Sequence, residues 1–163
     1  MDVAIRSIHL IAAAVWAGGL VFLGVAAGVA RRTIPEGERI AFFRMLGRRF
    51  AMLAAASALL IAATGADMAS DRLASWSALV NTSYGRILLA KIILFALALV
   101  EAAIHSLVLG PRIGALREAL LASPGDATLE RRLHRTAAVS GVLSALMLAQ
   151  TIAILVLAAD LVT

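Results

Sequence analysis

The chain has no cysteine. Disulfides, iron–sulfur clusters and thiolate metal sites are therefore excluded, and any metal must use histidine, methionine, carboxylate, tyrosine or backbone ligands. The redox compartment is left undetermined. Also lacking are an ordinary hydrolase or nucleotide-binding motif, an obvious repeat, and a linker long enough to separate two domains. There is no Met-x-x-x-Met cluster and no dense group of histidine and methionine. Acidic residues are few, 10 against 15 basic ones, which leaves a net charge of +5.

What is present is apolar length. Hydrophobic residues make up 62% of the chain, and its mean hydropathy is +0.96. Four runs, residues 5–30, 50–68, 87–109 and 137–161, approach or exceed the roughly 20 apolar residues a helix needs to cross about 30 Å of hydrocarbon. In lipid only helices and closed barrels satisfy their backbone groups, and these runs are too long for barrel strands. The expected fold is all-α: one integral-membrane four-helix bundle formed by residues 1–163. The first run is too long for a cleavable signal, follows Asp2, and has no convincing small-residue cleavage site at its end.

The arginines between the runs are unevenly divided. Arg6, Arg72 and Arg86 fall on one face of the membrane. Arg31, Arg32, Arg39, Arg44, Arg48 and Arg49, with Arg112, Arg117, Arg131, Arg132 and Arg135, fall on the other. The positive-inside rule places the rich face in the cytoplasm and both termini on the non-cytoplasmic side. The expected setting is multi-pass in a bacterial inner membrane. The isoelectric point of about 11.2 then reflects topology and contact with anionic lipid in the bilayer, not nucleic-acid binding.

Local signals refine the bundle. Pro35, followed by Glu36 and Glu38, suits a helix start that carries the second span in from the cytoplasm. Pro111 is expected to end or kink the third helix, with a short amphipathic stretch over 112–122 after it. Ser123-Pro124-Gly125-Asp126 reads as a turn, and the last helix is expected to begin near Thr128. Trp76 and Tyr84 suit the outer interface. Gly24-x-x-x-Gly28 and the Ser140, Gly141, Ser144, Ala145 group would let helices approach closely.

Polar groups inside spans are costly and therefore informative. They are His9, Thr64, Asp67, Lys91, Glu101, His105 and Gln150, with His134 just before the apolar part of the last helix. Depth sorts them into two layers. His9, Thr64 and Lys91 fall together about 6 Å below the outer surface, with Asp67 one turn further out. Trp16 shares a face with His9. His105, His134, Met45 and Met52 form a cytoplasmic layer, and Glu101, one turn before His105, is placed to orient its ring. Each residue also has a structural reading. The imidazoles and Gln150 can serve as hydrogen-bond partners between helices, and Glu101 with His105 as a structural polar pair. Lys91 can snorkel outward or pair with Asp67, His134 can be solvated, and the methionines can be packing groups.

Several of these residues sit in motifs. Ile8-His9-Leu10 with Val15-Trp16-Ala17-Gly18-Gly19-Leu20 resembles the first helix of the copper-resistance protein D family. Arg48-Arg49-Phe50, a helix ending Thr64-Gly65, and the Gly110-Pro111-Arg112 exit fit as well. Tyr84-Gly85-Arg86-Ile87-Leu88-Leu89-Ala90-Lys91 is the most specific piece, and the resemblance spans roughly residues 8–115. The resemblance implies an integral membrane protein of copper uptake or tolerance. One departure is His105-Ser106, where the family pattern has asparagine followed by arginine. A second resemblance, carried by His9, Trp16 and Lys91, is to the membrane protoporphyrinogen oxidase-like family and implies haem.

The cofactor thus stays open between copper and haem b. Metal ligands would come from His9, His105 and His134, with Glu101 behind His105. Arg48 or Arg49 would pair with haem propionates. No catalytic residue stands out, and enzymatic activity is undetermined. A cofactor-free accessory subunit of a larger membrane complex is a third alternative, and a homodimer is equally open.

Overall fold

The computed structural model describes residues 2–159, so the expected end of the last span at Leu161 lies outside the described residues. Asp2 caps the first helix, its carboxylate accepting from the Ala4 N–H at 2.9 Å. That helix, α1, runs over Val3–Thr33 and α2 over Glu36–Ser70, so the second helix starts directly after Pro35 as its sequence signals require. A one-turn helix, α3 (Ala78–Asn81), lies in the loop that follows α2. Then come α4 (Ser83–Ile104), a π-helical turn (His105–Leu109), α5 (Gly110–Ala122) and α6 (Ala127–Ala159). There are no strands among the described residues, and four helices are long and apolar enough to cross a membrane.

Pro111 does not end the third span. Proline within a helix lacks the N–H for the ladder and clashes with the carbonyl four residues back. The chain accommodates this by widening one turn ahead of it. The Gly110 N–H bonds back to His105 O, five residues earlier, and Pro111 becomes a first-turn residue of α5, where its missing donor costs nothing. The stretch from Ser83 to Ala122 is consequently one long helix with a π turn inside it. The Ser123-Pro124-Gly125-Asp126 turn forms as its composition suggests. Gly125 has a φ of 85°, which favours glycine, and Asp126 caps α6 through the N–H groups of Thr128 and Leu129.

α1 packs mainly on α2, and α4 mainly on α6. The two pairs meet in a thin core of Trp16, Ala98 and Met147, with Leu20, Ala54, Ala58, Ile61, Leu99 and Ala102 around it. Large side chains such as Phe22, Val25, Leu59, Leu107 and Val142 point outward, as an outside solvent of lipid allows. The small residues that bring helices together differ from those expected. A Cβ on Gly24, Gly28 or Gly141 would touch nothing within 4 Å, whereas one on Gly19 would lie 2.2 Å from the Phe50 ring. At Gly19 the Phe50 ring of α2 lies directly on the α1 backbone.

Candidate intramembrane polar site

The polar residues of the spans lie at successive depths along the bundle. At the arginine-poor end, His9 on α1 meets Thr64 on α2, Nδ1 to Oγ1 at 2.8 Å. Thr64 gives its own hydroxyl proton to the Leu60 carbonyl in the preceding turn. Nδ1 of His9 therefore donates, and in the uncharged ring the lone pair sits on Nε2, the arrangement in which an imidazole can take a metal. Gly65 lies beside the ring, where an added methyl would make an ordinary contact at 3.4 Å from His9 Cε1. Lys91 is half-buried and near enough to His9 for their charges to interact. Asp67 is exposed, and no ion pair joins it to Lys91 among the described residues.

One level down, Trp16 is buried with its ring edge-on to Phe95, centroids 6.0 Å apart. Its Nε1–H donates to Thr151 Oγ1 at 3.4 Å, and that hydroxyl donates to the Met147 carbonyl at 2.9 Å. Trp16 and His9 thus both turn toward neighbouring helices, consistent with their shared face. Beside Thr151 on α6, Gln150 Nε2 donates to Glu101 Oε1 on α4 at 2.9 Å, and both residues are buried. Further toward the arginine-rich end, His105 Nδ1 and Ser140 Oγ are 3.2 Å apart. At that end Arg44 on α2 pairs with Glu118 on α5.

Some expected groupings do not form. Glu101 spends its hydrogen bond on Gln150 and not on His105, because α6 presents an amide to it across the helix pair. His134 is exposed with Glu130, Arg131 and Arg135 at the surface of α6, about 9 Å along the helix from Ser140, and does not join His105. The ligand pair that a haem between those two histidines would need is therefore absent. Arg48 and Arg49 are exposed on α2, on one face with Ala41, Arg44, Met45 and Met52. Among the described residues no three His, Asp or Glu side chains come together to hold a metal ion.

The tyrosine-glycine-arginine motif has a steric basis. Thr82 caps α4, its hydroxyl accepting from the Gly85 N–H at 2.9 Å and donating to the Ala78 carbonyl at 2.7 Å. The α3 backbone then lies directly on Gly85, where a Cβ would be 2.0 Å from Ala78 O. Only glycine permits that approach. Tyr84 is half-buried with the Arg72 guanidinium 5.6 Å from its ring centroid, while Arg86 is exposed and its guanidinium lies 3.5 Å from Ser83 Oγ. Trp76 in the same loop is 85% exposed.

The family model described as copper resistance protein D (CopD) matches residues 44–158. The chain belongs to that family. The match takes in most of α2 and all of α3 to α5, with nearly all of α6. The first helix of this CopD-family protein, with His9 and Trp16, lies outside the matched segment. No curated protein and no solved structure matches the chain.

Four residues matter to this geometry beyond what the sequence signals: Thr82, Met147 and Thr151, and Ser140, which reads from the sequence as a close-packing residue and not as a hydrogen-bond partner. The last three lie on one stripe of α6 with Gln150, at spacings near three, four and seven. That periodicity was readable, but an alanine- and leucine-rich span offers several such stripes, and hydropathy alone does not choose among them.

Proposed function

We propose that this multi-pass membrane protein handles copper as cargo, in uptake or homeostasis, in a bacterial inner membrane with both termini outside the cytoplasm. The observation that carries the reading is the family match over residues 44–158. The arrangement of donors supports it. His9 lies two helical turns outward of Trp16, Met147 packs against Trp16 in the core, and Ser140, the partner of His105, lies two turns inward of Met147. Imidazole, thioether and imidazole thus follow one another at steps of roughly 10 Å along the bundle. These donor types suit copper. Their dispersal into single positions suits an ion that passes over one held in a resident centre. The eleven arginines against three support the orientation.

Copper content decides the matter. Cells expressing the chain are expected to differ from vector controls in cell-associated copper by elemental analysis, and His9→Ala and His105→Ala are each expected to reduce that difference several-fold at equal protein level. Equal copper in all strains, with well-inserted protein, would remove the reading. Cysteines introduced at Ser75 and Ser123 test the topology separately. An impermeant thiol reagent on intact cells is expected to label position 75 and spare position 123.

A further inference from the structure

Glu101 and Gln150 retain only 8% and 9% of their surface exposure, and they bond to each other by Gln150 Nε2–H to Glu101 Oε1. The two remaining oxygens of the pair, Glu101 Oε2 and Gln150 Oε1, are buried and have no hydrogen-bond partner. Buried acceptors without donors are costly, and more so in a bundle surrounded by lipid. An ionised carboxylate only accepts hydrogen bonds, so it has nothing to offer the Gln150 carbonyl. A single proton on Oε2 changes both ends of the problem. Oε2 becomes a donor, and the free acceptor of its bonded partner is Gln150 Oε1. Acid and amide then form a closed ring of two antiparallel hydrogen bonds, with no orphan oxygen and no net charge.

We propose that Glu101 is a proton-binding site, held as a carboxylic acid in a cyclic acid–amide pair with Gln150. The charged and titratable groups on the surrounding elements are engaged or distant. In the π turn after α4, His105 is taken by Ser140, and on α4 Lys91 is about 15 Å back along the helix from Glu101, beside His9. On α1, His9 is taken by Thr64. On α2, Asp67 is exposed toward one end, and Arg44, Arg48 and Arg49 are exposed toward the other. On α6, His134 is exposed. No ion pair to Glu101 exists among the described residues, so the proton is the charge-compensating ligand the site is built for. This holds whether or not copper is the cargo.

Infrared difference spectroscopy of the purified chain in lipid at neutral pH tests it. Wild type minus Glu101→Gln is expected to show the carbonyl band of a protonated carboxylic acid, shifted on exchange into heavy water. Glutamine copies the shape and donor of the protonated acid, so Glu101→Gln is expected to unfold at the wild-type temperature. Gln150→Leu is a second variant that keeps the acid and removes its partner, and it is expected to move the same band to higher frequency. Ionised-carboxylate bands in place of the acid band would overturn the proposal. So would a band that Gln150→Leu leaves unmoved. A rise in unfolding temperature with sodium over choline, lost in Glu101→Gln, would assign the site to a metal cation instead and overturn it equally.

Discussion

The two helix pairs of this bundle are fastened in different ways. α1 and α2 come together where a glycine receives a ring: Gly19 under Phe50, and Gly65 beside His9, with the His9–Thr64 bond as their polar link. α4 and the π turn that continues it are joined to α6 by polar side chains, the buried Glu101 with Gln150 and the part-buried His105 with Ser140. Lipid tails are as apolar as leucine, so apolar area alone gives two membrane helices little reason to associate. Close packing and interhelical hydrogen bonds are the two remedies; the α1–α2 pair combines them, and the α4–α6 pair leans on buried hydrogen-bonded side chains. The first is expected to tolerate loss of a hydrogen bond, and the second is expected to be damaged by loss of one partner from a buried pair.

Substitutions can break that contrast. The largest effect is expected from Gln150→Leu, which strands a buried carboxyl and should cost about 2 kcal/mol. Adding Glu101→Leu should restore most of that stability, because removing both partners leaves nothing unsatisfied. Reversible unfolding in mixed micelles, run as a double-mutant cycle, reads both values, and a double variant no more stable than Gln150→Leu would show that the pair is not an isolated unit. A smaller loss is expected from Gly19→Leu. The added side chain collides with Phe50, and overpacking typically costs about 1–3 kcal/mol. The Phe50 ring can swing away, so the lower half of that range is expected, with recovery in the Gly19→Leu, Phe50→Ala double variant. The smallest effect belongs to Thr64→Val, about 0.6 kcal/mol, the average for a hydrogen bond between membrane helices. A loss for Thr64→Val as large as that for Gln150→Leu would erase the distinction between the two pairs.

The span containing His105 shows where local sequence reasoning reaches its limit. Pro111 reads as an end or a kink, because a regular α-helix has no place for proline in its interior. The chain instead inserts a π turn over His105–Leu109, and α5 carries on to place Glu118 against Arg44. Such turns often occur at functional sites, and here the turn starts at the histidine that faces Ser140. A one-residue change in winding rotates every later side chain, so the face that α5 presents to α2 and α6 could not be deduced by counting from α4.

The sequence by itself determined the four spans, the helix start at Pro35 and the turn over residues 123–126. It also determined the charge asymmetry across the membrane and the motifs of the copper resistance protein D family. These depend on composition and on neighbours a few residues apart, and lipid imposes the helical solution wherever a run is long enough. It placed His9, Thr64 and Lys91 at one depth, because depth in a straight helix follows from residue count. Only the tertiary structure decided the partners. Glu101 had His105 one turn away and took Gln150 from another helix, and His134 stayed at the surface. Gly24 and Gly28 faced outward, while Gly19 made the close approach. Residue count fixes depth but not the rotation of one helix about its axis relative to the next. That rotation comes from the packing of all four helices at once, around Trp16, Ala98 and Met147.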